Sequence, residues 1–428
     1  MQIVTERCSK TVLPNGIRVL TEHMPGIRSV SVGIWVTTGS RDESLSCAGI
    51  SHFIEHMIFK GTARRSALDI AKAFDQMGGL SNAFTSKETT CFHAKVLDTH
   101  LDDVLELLAD IFLHSIFEPV EIERERQVIL QEINMVEDSP DDLVHELFSE
   151  FFWHGNRLGG SILGAPETVR SFDSLMLRQH MTRFYAGPEI VISASGNLEH
   201  QPFVRKIERL FTRISPATDL PQRATPNPAR GCKSFPRDLE QIHTIMGFPG
   251  ISASDPRRYA ALLLNVILGG SMSSRLFQEV REKRGLAYSI YSFLTSYEDT
   301  GMLGIYAGVS PDQVCKVTGL MYSELLKIAH KSVDARELDA ARSHVKGSLF
   351  LSAENSDTRM TRLARNEISL GKFLTFDHVI EALDSVTPDH IKDIAAGFVE
   401  KGAALVCLGP VTDSQADKCE NMVSAVNK

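Results

Sequence analysis

Apolar and polar positions first alternate with a period of two. Thr11-Val12-Leu13 and Ile17-Arg18-Val19-Leu20 flank Asn15-Gly16, a hairpin signal over 8–22. Val30-Ser31-Val32-Gly33-Ile34-Trp35-Val36 sets apolar residues against small ones, as a strand does, until Gly39, Ser40 and Asp42 break it. The spacing then becomes helical over about 46–60, ending at Gly61, and again over 67–77, ending at Gly78-Gly79. Leu80–Thr85 and Thr90–Leu97 read as a strand pair, followed by helices at 100–114, 119–138 and 140–153. A glycine-rich loop, Gly155–Gly164, leads to a helix near 173–185, a strand at 189–194 and a helix at 201–211.

Residues 213–236 lose this periodicity and hold Pro216, Pro221, Pro226, Pro228 and Pro236, which marks a linker. Beyond it the order of elements returns. Ile242–Gly247 mirrors the strand at 30–37, Tyr259–Leu268 the helix at 46–60, and Ser273–Lys283 the helix at 67–77. Residues 286–294 and 302–309 mirror the strand pair, helices follow at 311–330 and 334–352, and Ala404–Gly409 matches Ile190–Gly196. The expectation is an α+β fold of two duplicated domains, 1–212 and 237–428, joined by 213–236.

Composition narrows the class. At 428 residues, 43% apolar and 23% charged, the chain is ordinary globular material. A net charge of -9 argues against nucleic acid or an anionic membrane as the main partner. Seven cysteines (8, 47, 91, 232, 315, 407 and 419) are scattered without a C-x-x-C, the usage of reduced thiols. Met1–Arg7 has neither an apolar segment nor an Arg-rich, acid-free stretch, so no secretory signal or mitochondrial presequence is expected. No apolar run approaches the roughly 18 residues of a membrane span. The expectation is a soluble intracellular protein, in the cytoplasm ahead of a mitochondrial matrix.

The candidate chemistry lies in Ser51-His52-Phe53-Ile54-Glu55-His56-Met57. Four positions apart on a helix, His52 and His56 share one face about a turn from each other, with Glu55 beside them. A zinc ion binds such a pair of neutral imidazoles, and its water needs a nearby carboxylate. A third ligand must come from elsewhere. In the helix at 119–138, Ile122, Ile129, Ile133 and Val136 form an apolar arc, and Glu125 and Glu132 lie at its flank; Glu121, Glu123 and Glu137 point elsewhere. An acid there is either bound or reaches water at the rim. The helix that mirrors the His pair, Tyr259-Ala260-Ala261-Leu262-Leu263-Leu264-Asn265, carries neither histidine nor acid.

His52-Phe53-Ile54-Glu55-His56, with Glu132 placed 76 positions after His56, resembles the inverted zinc motif of the M16 (pitrilysin/insulinase) peptidases. Gly61-Thr62, Asn82-Ala83-Phe84-Thr85 and Leu268-Gly269-Gly270-Ser271-Met272-Ser273-Ser274-Arg275-Leu276 match as well, and the likeness to the short members of the family covers about 8–410. These members include the mitochondrial processing peptidase β-subunit and its bacterial relatives. The resemblance implies two domains of the LuxS/MPP-like metallohydrolase type forming half of a clamshell. It makes His52, His56 and Glu132 the ligands of one Zn2+ per chain, Glu55 the general base, and Glu125 a glutamate behind the metal site.

The same resemblance assigns Arg281 and Tyr288 to substrate binding and to holding the scissile carbonyl, for which a guanidinium and a phenol are suitable donors. Lys283 and Arg284 read instead as a basic helix end before Gly285. Asn82, Ala83 and Phe84 are the implied edge strand that pairs with an extended peptide. Since the family clamshell has four repeats and this chain two, a second chain is implied, in a homodimer or a heterodimer with a related chain. The expected function is a zinc metalloendopeptidase acting on extended or presequence-like peptides in a closed chamber. The alternative is a non-catalytic scaffold subunit, in which the motif is typically damaged.

Overall fold

The alternating segments of the first half become six strands: β1 (Arg7–Val12), β2 (Arg18–His23), β3 (Ser29–Val36), β4 (Leu80–Thr85), β5 (Thr90–Leu97) and β6 (Ile190–Gly196). Among them run α1 (Ile50–Met57), α2 (Ala67–Gln76), α3 (Leu101–His114), α4 (Pro119–Asp138), α5 (Pro140–Phe152), α6 (Pro166–Ser171), α7 (Ser174–Phe184) and α8 (His200–Leu210). The second half forms β7 (Gly231–Pro236), β8 (Ile242–Pro249), α9 (Arg258–Leu268), β9 (Ala287–Ser296), β10 (Gly301–Val309) and α10 (Val314–His330). It continues with α11 (Ala335–Ser352), α12 (Ser356–Leu370), α13 (Phe376–Ser385), α14 (Pro388–Glu400), β11 (Ala404–Gly409) and α15 (Asp413–Val426). The computed structural model describes residues 7–217, 220 and 222–427; Met1–Glu6, the stretch read for targeting signals, and Pro221 of the linker lie outside them.

The first sheet has the order β1-β2-β6-β3-β5-β4 and the second β7-β11-β8-β10-β9. Apart from β1, the two agree strand for strand. β2 runs parallel to β6 as β7 does to β11, and every other matched neighbour is antiparallel. The repeat read in the sequence is therefore a repeat of topology, in two mixed α+β sheets. One expected linker segment departs from this reading, because Gly231–Pro236 is a strand. As an edge strand it is held through its backbone by β11, so its side chains need little apolar periodicity.

Two compact units form, and they are not the two halves of the sequence. One comprises Met1–Asn134, Gly160–Arg223 and Phe350–Phe373; the other comprises Met135–Gly159, Ala224–Leu349 and Leu374–Lys428. The expected division into 1–212 and 237–428 thus needs correction, since α5 packs in the second unit and α12 in the first.

In the first unit, Val30, Val32, Ile34 and Val36 of β3 face a core shared with Phe53 and Ile54 of α1. The other face of the sheet buries Leu20, Trp35, Cys91 and Val191 against Met360, Leu363 and Ala364 of α12. Small residues on β3 admit that helix. A Cβ on Gly33 would stand 2.6 Å from the Met360 sulfur, and Ser31 Oγ lies 2.8 Å from Ser356 Oγ. Ion pairs fasten α12, among them Glu22 with Arg359, both buried, and Lys10 Nζ with Glu367 Oε1 at 2.7 Å.

The second unit repeats the device with α5. Leu143, Val144, Phe148 and Phe152 pack on Ile245, Val406 and Leu408. Here Gly247, on the strand matching β3, leaves room for the exchanged helix, for a Cβ there would stand 2.3 Å from Phe148 Cζ. Among the described residues, no helix is long and apolar enough to cross a membrane.

Candidate metal centre

The His pair rides on a short helix that is pinned at its start. Glu43 is buried, and its two carboxylate oxygens accept from the Gly49 amide at 2.7 Å and the Ser51 amide at 2.8 Å. A carboxylate at this end satisfies orphan N–H groups and suits the helix dipole. Gly49, at φ 92°, precedes α1 where a Cβ would stand 2.6 Å from the Leu163 carbonyl oxygen. The end of the glycine-rich loop thus docks on the start of α1. Ile50, Phe53, Ile54 and Met57 anchor the helix in the core, which leaves His52 and His56 on the remaining face.

On α4, Ile122, Ile129 and Ile133 are buried in the same core and bring the acidic flank of that helix across from α1. Glu132 Oε2 lies 3.6 Å from His52 Nε2 and 3.5 Å from His56 Nε2. One ligand atom from each of the three residues falls within 4.8 Å of the other two. Among the described residues, no other group of three or more His, Cys, Asp or Glu side chains meets that condition.

The donor set fits zinc. Two imidazole nitrogens and one carboxylate oxygen form a common three-ligand set that leaves a fourth position open. A tetrahedron with arms of 2.0–2.1 Å has edges of roughly 3.3–3.4 Å, close to the observed separations from Glu132. Burial, then the charge of His56, lowers the His52 pKa to about 4, so this imidazole is neutral near pH 7. Its Nδ1 is buried without a hydrogen-bond partner.

His56 is oriented from behind. Its Nδ1 lies 3.1 Å from Glu125 Oε2, and the second carboxylate oxygen takes Lys60 Nζ at 2.5 Å. An ionised carboxylate only accepts, so Nδ1 of the neutral ring carries the proton and Nε2 turns its lone pair toward Glu132. Burial opposes charge on His56, but the bond to Glu125 and the charges of Glu132, Glu125 and Glu55 outweigh it and raise its pKa. Burial would also raise Glu125, yet its bonds to His56 and Lys60 hold it below the usual carboxylate range.

Glu55 sits beside the pair in a drier place. Burial raises its pKa, against the pull of the Thr85 hydroxyl and amide and of the His56 charge. Its Oε2 is buried without a hydrogen-bond partner. A carboxylate with a raised pKa and a spare oxygen is equipped to exchange a proton with a neighbouring water.

β4 is an edge of its sheet, next to β5 only. Asn82 is exposed at that edge, and its side-chain oxygen accepts from the Ala83 amide at 2.8 Å. Ala83 packs toward the core that holds α1. Phe84 turns to the opposite face, where its ring meets Trp35 edge-on at 5.5 Å between centroids. Of the three expected strand residues, Phe84 is therefore occupied with packing.

Arg281 and Tyr288 belong to the second unit. A π-helical segment, Phe277–Glu282, ends just before β9, itself an edge strand. The Arg281 guanidinium lies 4.9 Å from the centroid of the Tyr288 ring and 4.7 Å from that of Phe277. Tyr288 is 81% exposed. Lys283 and Arg284 both pair with Glu279, in keeping with a structural role at a helix end.

Glu43 and Lys60 escaped the sequence reading, and Thr85 was read only as part of the strand at 80–85. For Lys60 a signal existed, since it continues the four-residue spacing of His52 and His56. Glu43 meets the start of α1 and Thr85 acts on Glu55 from β4, and spacing along the chain encodes neither contact.

The profile of the insulinase family (peptidase family M16) matches residues 18–166, and that of the peptidase M16 inactive domain matches 171–345. An uncharacterized zinc protease of Bacillus subtilis is 42% identical over 396 residues, 92% of this chain and 97% of that protein. One from Streptomyces coelicolor is 38% identical over 97% of this chain and 92% of its own length. The fold matches a protease from Helicobacter pylori with a TM-score of 0.88 at 20% identity, covering 94% of this chain and 100% of that one. It also matches a peptidase M16 inactive domain from Pseudomonas fluorescens with a TM-score of 0.89 at 19% identity, covering 95% and 98%. Relatives that share so much sequence across nearly the whole length place this chain in peptidase family M16.

Proposed function

We propose that the chain is a zinc-dependent endopeptidase that cleaves extended peptides, with His52, His56 and Glu132 holding one metal ion and Glu55 as general base. The observation that carries this reading is the convergence of the three donor atoms beside a buried, partly unpartnered Glu55. Held by these residues, a zinc ion would supply Lewis acidity, which acidifies water and polarises a peptide carbonyl. Glu55 takes the proton of the attacking water on its free oxygen and returns it to the departing amine. Glu125 and Lys60 keep the His56 ring in one orientation while this happens. The exposed edge of β4 offers backbone groups around Ala83 to an extended peptide, with Asn82 Oδ1 the group to be displaced. A test is hydrolysis of an unfolded fluorogenic peptide by the purified protein. Chelator should abolish turnover and added zinc restore it; chelator-insensitive cleavage would remove the metal from the account.

Arg281 and Tyr288 then serve as donors to the substrate carbonyl, supplied from a second chain in a homodimer or a related heterodimer. Support comes from the presence of both residue sets in one chain of two repeats. Mixing Glu55→Gln chains with Arg281→Ala chains should restore part of the activity that each lacks alone. Verified mixed dimers without recovery would contradict a site shared between chains. A chamber closed by two chains, presequence-like substrates and a bacterial cytoplasmic location belong to the same proposal. The scaffold alternative has no observation in its favour, since all five motif residues stand.

A further inference from the structure

Cysteines that look scattered in the sequence meet in the second unit. Cys232 lies on β7, Cys407 on β11, Cys315 in the first turn of α10 and Cys419 in α15. Cys232 is in register with Leu405, two positions from Cys407, so the two strand cysteines share a face. That face belongs to the core that also buries Cys419 and packs Cys315. All are free thiols, and Cys315 Sγ stands 4.0 Å from Cys419 Sγ. Thr244 Oγ1 lies 3.4 Å from Cys407 Sγ and occupies part of the third thiol's surroundings.

We propose that Cys315 and Cys419 form an oxidative modification site, closing to a disulfide on exchange with a low-molecular-weight disulfide. A bond needs an S–S distance of about 2.05 Å, so the two sulfurs must approach by roughly 2 Å. The pair is asymmetric in a useful sense. Cys315 is half-buried and can meet a small reagent, whereas Cys419 is fully buried and can meet only its neighbours.

The chemistry balances as two exchanges. Cys315, after losing its proton to solvent, attacks one sulfur of the reagent and displaces one thiolate. Cys419 then attacks Cys315 Sγ as a thiolate and displaces the second. Two protein thiols lose two electrons and two protons, and one small disulfide becomes two thiols. Hydrogen bonding from Cys407, then from Cys315 and Thr318, lowers the Cys419 pKa to about 7 against the effect of burial, which favours the second step. Burial, with Cys419 adding to it, raises the Cys315 thiol and slows the first. The mixed disulfide at Cys315 is therefore short-lived.

The cross-link would join α10 to α15 between residues 104 apart, a long loop whose closure restricts the unfolded chain. The test is incubation of the full chain with glutathione disulfide, followed by alkylation under denaturing conditions and peptide mapping. The expected product is a Cys315–Cys419 cross-link that dithiothreitol reverses and that raises the thermal midpoint by several degrees. In Cys315→Ser protein, Cys419 should stay alkylatable. A stable glutathione adduct on Cys315 beside a free Cys419 would overturn the proposal. So would a Cys407–Cys419 bond, or both thiols remaining free while half-buried Cys47 is modified.

Discussion

Glu55→Gln protein should keep its full zinc content and lose peptide hydrolysis by about 10²–10⁴-fold in kcat/KM, the usual contribution of a general base. The amide preserves the size of the side chain but cannot take a proton. Its neutrality also suits the site, because burial already works against the charged form of Glu55. The metal donors lie on His52, His56 and Glu132 and are untouched by the change. Metal analysis and steady-state kinetics on the same preparation check both halves of this expectation. Turnover within a few-fold of the parent would remove Glu55 from the chemistry, and loss of zinc together with activity would make it a structural residue.

The second large effect concerns the fold. Glu22→Ala should destabilise the first unit by about 3–5 kcal/mol, the scale expected when one partner leaves a buried ion pair. Glu22 is fully buried on β2, and its partner Arg359 on α12 is nearly so. Removing the carboxylate leaves the guanidinium inside with weaker compensation, on the helix that shields Trp35 and Cys91. Chemical denaturation followed through Trp35, whose indole donates to Ser193 Oγ at 2.9 Å, would report on this region. A Glu22→Leu, Arg359→Met double variant should recover most of the loss, because well-packed apolar residues often replace a buried pair at little cost. A shift below about 1 kcal/mol for the single variant would mean that the pair is effectively solvated.

Local pattern made the elements legible, because each carries its own periodicity. The His pair was visible because helical geometry fixes what four residues of separation means. The isoleucines of α4 placed Glu125 and Glu132 at the flank of a buried arc, but only the resemblance to M16 peptidases singled them out as site residues. The exchange of α5 and α12 was not visible. An amphipathic helix announces an apolar face without announcing which sheet it will cover. A trace of it did stand in the sequence, since β3 alternates apolar with small residues where a solvent-facing strand would show polar ones. Ser31 and Gly33 are the places where α12 comes down. Gly247 plays the same part for α5. β7 was hidden for a different reason: its pairing with β11 is a backbone matter. The meeting of Cys315 with Cys419 depends on contacts between distant segments that no local rule encodes.

The central claim is that His52, His56 and Glu132 together hold a metal ion next to Glu55. Anomalous diffraction at the zinc edge from crystals of the purified protein tests it most directly. The account predicts one strong peak per chain, bounded by His52 Nε2, His56 Nε2 and the Glu132 carboxylate. A peak at other side chains, or none in crystals of protein that hydrolyses peptide, would contradict it.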